Sequence, residues 1–322
     1  MKSHYNIHGL SFSVTSRDPL ITGLITAELK PFRASKSAPG ALEIRFKMLA
    51  PDTGKFYEKN LLKEHFIAER RMTHETLTQH YRRSLITSTT DLKKKKVEVL
   101  AVHDPKLFPD PACYFCVTQP LSPWLKQKGL FFMHAGCVAE NGKGVVIVGN
   151  SGAGKSTLTL SALQGGFKFF GDEQPLFSLH QNQVLAHGFP RRVRLDRLPA
   201  SLFAKLRPLM KSNKNERLVF QALDYWPKAQ AQTPCRPEVL IFPRFAKNAK
   251  LRLKKIHPSA ALARLMQDEH LVWYQDGPFK DISHRHLELL QRLAESSRAF
   301  EMDYGVRDIL KMPSVFRQLL HG

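Results

Sequence analysis

The chain has 322 residues, 43% of them hydrophobic, and its 49 Lys and Arg outnumber its 28 Asp and Glu to give a formal net charge of +21. This is enough apolar material for one large core or two smaller ones, and no apolar run approaches the roughly 20 residues of a membrane span. The charge points to anionic ligands or an acidic partner, but the basic residues are scattered and no RNA-binding signature accompanies them, which disfavours nucleic acid.

The first residues, MKSHYNIHGLSFSV, have no continuous apolar stretch and no small-residue cleavage site. No signal peptide is expected, and a cytoplasmic location is. Residues 9–15 and 42–48 alternate apolar and polar as strands do. Between them the text reads as a short helix that opens near Pro19 and ends before Pro31. Residues 61–87 are read as polar and helical, and DLKKKKVEVLAV as a charged turn into a strand. DPKLFPDPA, at 104–112, is a linker by its Pro and Asp content. The expected domains are therefore 1–110, an α+β region for substrate or assembly, and 111–322. Of the four cysteines, Cys113 and Cys116 have metal-like spacing but no further ligands nearby, so all four are read as structural.

A helical segment near 113–126 leads into GLFFMHAGCVAE, read as one strand. Asn141-Gly142 then signals a tight hairpin into the strand VVIV. That strand meets the loop Gly149-Asn150-Ser151-Gly152-Ala153-Gly154-Lys155-Ser156, followed by Thr157 and a helix stopped at Gly165-Gly166. Strand, glycine loop and helix in direct succession form a phosphate-binding unit. The glycines let successive N–H groups turn toward an anion. Lys155 supplies a mobile cation for the β- and γ-phosphates, Ser156 a hydroxyl for Mg²⁺, and the helix N-terminus its dipole. ATP or another NTP with Mg²⁺ is the implied ligand.

One helix and one strand later come Gly171-Asp172-Glu173. Two acids at a strand end beside such a loop suit one carboxylate holding Mg²⁺ and the other taking a proton from a hydroxyl. His134, in the strand paired with the loop strand, is placed to approach Asp172. Downstream, 184–195 and 238–245 read as strands, 198–211 as helical, 258–268 and 283–297 as helices, 298–304 as a strand, and the C-terminus as a last helix.

The stretch MHAGCVAENGKGVVIVGNSGAGKSTLTLSALQGGFKFFGDE resembles the HPr kinase/phosphorylase group, and more closely its HPr-kinase-related offshoots. FPRRVRL and EVLIFPRF extend the likeness more weakly. The resemblance implies an α/β core of the P-loop, phosphoenolpyruvate-carboxykinase-like class, with a smaller N-terminal α+β region. It implies an ATP- and Mg²⁺-dependent kinase acting on a hydroxyl, typically Ser, of a protein, peptide or small molecule. By it, Asp172 would be the general base, Glu173 would hold Mg²⁺ with Ser156, and His134 would support Asp172. Arg191 and Arg244 would approach phosphate or acceptor. HPr kinases proper carry two Asp where this chain has Asp172-Glu173, and their dephosphorylation signature has no match here. The rival expectations are a nucleotide-binding regulatory or nucleic-acid-associated module with little turnover, and an NTP hydrolase.

Overall fold

The computed structural model describes residues 2–49, 69–72, 76–81, 86–102, 118–213, 217–269 and 280–322. The chain divides into two compact units, one of Met1–Lys128 with Tyr274–Ile282, the other of Gly129–Trp273 with Ser283–Gly322. The expected boundary near residue 110, the 104–112 linker and the Cys113–Cys116 pair lie outside the described residues.

The first unit is built on an eight-stranded mixed sheet of order β3-β1-β2-β4-β8-β7-β6-β5. Its strands are β1 (Lys2–Ile7), β2 (Leu10–Thr15), β3 (Arg33–Ala34), β4 (Leu42–Leu49), β5 (Glu69–Met72), β6 (Thr76–Tyr81), β7 (Ile86–Asp91) and β8 (Lys96–Val102). His8 and Gly9, at φ 49° and 88°, close the β1–β2 hairpin, a turn whose positive angles suit the strand twist. Helix α1 (Pro19–Glu28) opens where the sequence places it: Pro19 sits at the first turn, and the Asp18 carboxylate accepts from the Ile21 N–H at 3.0 Å. β4 runs parallel to both β2 and β8. Helix α2 (Gln119–Gln127) buries Trp124, which meets Phe12 edge to face.

The helical reading of 61–87 is overturned wherever that segment is described, because β5, β6 and the start of β7 are strands. The reason is visible in the pairing. Gln79 faces Ser88, and Leu77 faces Thr90, and all four are buried. Polar residues thus hold inward positions, and the period-2 apolar pattern that marks a half-buried strand is erased.

The second unit is centred on a six-stranded sheet of order β12-β10-β11-β17-β19-β18. Its strands are β10 (Ala135–Glu140), β11 (Lys143–Val148), β12 (Lys168–Gly171), β17 (Arg236–Phe245), β18 (Arg252–Ile256) and β19 (Arg298–Tyr304). β9 (Phe131–Phe132), β13 (Leu176–His180) and β14 (Gln183–His187) form a three-stranded sheet. β15 (Arg192–Asp196) and β16 (Arg217–Gln221) form a ribbon. The helices are α3 (Lys155–Gln164), α4 (Pro258–Glu269), α5 (Lys280–Ser296) and α6 (Met312–His321). Val145, Ile147, Val239 and Ile241 from the sheet, Leu158 and Leu163 from α3, and Phe316 from α6 share one core cluster.

Two readings are refined here. The stretch 129–140 is two strands rather than one. Met133 donates its N–H to Pro175 O, and Ala135 donates back to Met133 O, so the chain turns at Met133–His134 and passes between sheets. The 198–211 region is a succession of short helical turns; Pro199 and Pro208 each remove a backbone donor that a longer helix would need. The architecture as a whole is mixed α/β with several mixed sheets.

Candidate functional site

Strand direction assembles the site. β11, β17 and β19 are mutually parallel. β12 is antiparallel to β10, and β10 to β11, so β12 runs with β11. Four strands therefore deliver their carboxyl ends to one edge of the sheet, the position where open α/β sheets bind ligands. β11 ends at Val148, just before Gly149; β12 ends at Gly171, just before Asp172; β17 ends at Phe245, one residue past Arg244; and β19 ends at Tyr304. His134 stands at the same edge, one residue before antiparallel β10 begins with Ala135 opposite Val148.

The glycine loop spans 149–154. Gly152 and Gly154 adopt φ 86° and 92°, in the left-handed region. Gly152 has open space around it, so only the angle demands glycine there. Gly154 is constrained twice, because a Cβ would also collide with the Tyr304 hydroxyl. That hydroxyl donates to Ala153 O at 3.3 Å, and burial pushes the Tyr304 pKa well above its ordinary value. Tyr304 thus supports the loop from beneath as a neutral donor. Lys155, 6% exposed, curls back to donate to Gly149 O at 2.5 Å and Asn150 O at 3.3 Å. Its ammonium is thus held against the first two residues of the loop.

Gly154→Ala is expected to be the most damaging loop substitution, with nucleotide affinity falling at least tenfold and some loss of stability. A strained φ costs about 1–3 kcal/mol before the Tyr304 collision is added. Calorimetric titration with ATP checks this, and Gly152→Ala, strained but unobstructed, should lose less.

Asp172 is 2% exposed, and neither carboxylate oxygen has a hydrogen-bond partner. His134 is therefore not bonded to it, although both residues reach the same edge. Burial pushes the Asp172 pKa up to about 7. The nearby Ser156 hydroxyl draws it down, Glu173 raises it, and Lys155 lowers it. An unpartnered buried carboxyl is costly, and such groups concentrate at functional sites. Glu173 follows at φ 68°, a left-handed turn uncommon for a residue with a side chain. The fit around Asp172 is close: a Cβ on Gly136 would collide with Thr159 Oγ1 and lie 3.7 Å from Asp172 Oδ1. Thr159 Oγ1 is itself buried without a partner.

Arg191 is 8% exposed and donates to Gln174 Oε1 at 2.6 Å, which ties it to the segment just after the acid pair. Arg244 reaches the edge but is engaged by acids. Its guanidinium meets both Asp303 oxygens at 2.8 and 3.2 Å and Glu301 at 3.4 Å. Cys137 and Cys235 are buried free thiols. Among the described residues, no group of three or more His, Cys, Asp or Glu is arranged as a metal cluster, and no helix is long and apolar enough to cross a membrane.

Sequence reasoning missed Tyr304, Thr159, Gly136 and Gln174. Only Gln174, adjacent to the acid pair, carried a positional signal.

No protein-family model matches the chain, and no curated protein matches it. Among solved structures, the Hpr(Ser) kinase/phosphatase from Coxiella burnetii aligns over 58% of this chain and 92% of that one, at 11% identity and a TM-score of 0.29. This is a distant structural similarity, and no chemistry is drawn from it.

Proposed function

We propose that the chain is a P-loop kinase of the HPr-kinase-related type, transferring the γ-phosphate of ATP to a hydroxyl. The observation that carries this reading is a buried, unpartnered carboxyl beside a glycine loop that holds a lysine. Asp172 has no geometrically sound hydrogen bond, the nearby Ser156 hydroxyl offsets its burial only in part, and its pKa is near 7, the property of a base that works near neutral pH.

In this reading the amides of 149–154 and the N-terminus of α3 surround the phosphates. Lys155 moves from the loop carbonyls to the phosphate oxygens, exchanging neutral acceptors for charged ones. Ser156 and Glu173 would hold Mg²⁺, which neutralises phosphate charge when bound. Asp172 takes the proton of the acceptor hydroxyl at a carboxylate oxygen. Arg191, fixed by Gln174, supplies a preorganised cation beside the acids. Arg244, paired with Asp303, acts on phosphate only if that pair opens.

The test is Mg²⁺-dependent transfer of label from γ-labelled ATP, with cell extract supplying acceptors. Labelled protein or small molecule above a no-enzyme control is the expected result. Bound ATP with neither transfer nor hydrolysis would favour a nucleotide-binding module, and rapid phosphate release without acceptor would favour a hydrolase.

A further inference from the structure

Beyond the glycine loop, the second unit carries a basic ribbon that the nucleotide reading does not use. Residues 244–257 hold Arg244, Lys247, Lys250, Arg252, Lys254 and Lys255 and no acid. The ribbon contains β18, the last strand of its sheet. Arg252, Leu253, Lys254 and Lys255 are all exposed. Among the described residues, no strand pairs with the outer edge of β18, which leaves a row of backbone donors and acceptors open.

The acids of β19 offset this edge only in part: Lys254 lies opposite Glu301 and Arg252 opposite Asp303 in register, and Arg264 chiefly, with Lys254 a lesser cation, lowers the Glu301 pKa. Glu301 is taken by Arg264 and Arg244, and Asp303 by Arg244. Lys247, Lys250, Arg252, Lys254 and Lys255 form no ion pair with any described residue. Apolar surface lies along the same ribbon, with Phe245 45% and Leu253 37% exposed. Lysines on an edge strand also serve to block aggregation, but that role is not helped by exposed phenylalanine and leucine beside them.

We propose that the free edge of β18 is a docking strand for an extended acidic peptide segment of another protein. The segment adds a strand to the sheet, sets its carboxylates against Arg252 and Lys254 on one face, and covers Leu253 on the other. Main-chain pairing supplies affinity and the alternating side chains supply selectivity, as in other strand-addition complexes. Nucleic acid fits less well, because an open strand edge gives it no backbone partner and the ribbon's exposed rings, Phe245 and His257, flank β18 rather than lie within it. Arg252 stands opposite Asp303 in register, one residue from the Tyr304 that supports the glycine loop, so a docked segment extends to the edge that carries Asp172. That such a segment carries the acceptor hydroxyl rests on the kinase reading. The docking does not.

The probe is a short fluorescein-labelled peptide alternating glutamate and valine, titrated at low salt by anisotropy. The controls are the same peptide with proline at every second valine, and oligothymidylate. The expected result is saturable binding that weakens with salt, that the proline peptide lacks, and that Lys254→Glu/Lys255→Glu lowers at least tenfold while Lys36→Glu, in the other unit, leaves it unchanged. A milder Lys254→Ser/Lys255→Ser variant, with its fold checked by circular dichroism, should weaken binding in the same direction. Lys155→Ala should bind the peptide normally, which separates this inference from the nucleotide reading. Equal binding of the proline peptide, insensitivity to both β18 variants, or preference for the oligonucleotide would overturn it.

Discussion

Lys155→Ala is expected to weaken ATP binding by about 100-fold, on the order of 2.7 kcal/mol, with the fold intact. The Lys155 ammonium donates to two loop carbonyls, at 2.5 and 3.3 Å. A hydrogen bond from a charged donor contributes about 1.5–3 kcal/mol, and phosphate is a stronger acceptor than either carbonyl. Alanine keeps helix propensity at the first turn of α3, so the deficit should appear in affinity rather than in structure. Calorimetric titration with ATP, together with far-ultraviolet circular dichroism, separates the two. Unchanged affinity would remove the loop from the nucleotide site. Lys155→Arg is not a conservative rescue, because a planar fork cannot occupy the compact position between Gly149 O and Asn150 O.

The loop was legible in the sequence because everything that builds it is local. Asn141-Gly142 turns the chain, with φ 51° and 77° at the turn, and β11, loop and α3 follow within 143–164. The acid pair was legible for a related reason: one helix and one strand return the chain to the same edge. Tyr304 was not legible. It lies about half the chain away and reaches Gly154 only because β11, β17 and β19 run parallel in that order, a fact of topology that no short window contains. The same holds for Gly136, whose missing side chain makes room for Thr159 Oγ1. β18 escaped notice because all of its residues from Arg252 to Lys255 face solvent, leaving no apolar alternation to read. In the first unit, buried Gln79, Ser88 and Thr90 hid two strands for the opposite reason. Edge strands and polar-cored strands are thus the two places where patterning fails.

Asp172→Asn is expected to abolish phosphoryl transfer while keeping ATP binding, and to make the metal-free protein more stable above pH 7. The two effects have one physical source. Burial, the largest influence, lifts the Asp172 pKa from the ordinary carboxylate value of 3.8 to about 7. Between those pH values the folded state holds a proton that the unfolded chain has released. Protons bound in the unfolded state minus those in the native state is then negative, so stability falls as pH rises through this window and stays low above it. The penalty at pH 8 is on the order of a few kcal/mol. Asn cannot ionise and escapes it. It also cannot accept the acceptor's proton, and general base catalysis contributes about 10²–10⁴-fold. Urea denaturation at pH 5 and pH 8 with chelator present, beside labelled-phosphate transfer, reads both effects. Wild type should lose stability between the two pH values and the variant should not. Identical pH profiles would mean that Asp172 is ionised in the folded protein throughout. That result would remove the raised pKa but not the base, which must be ionised to take a proton; full transfer activity in Asp172→Asn would remove the base.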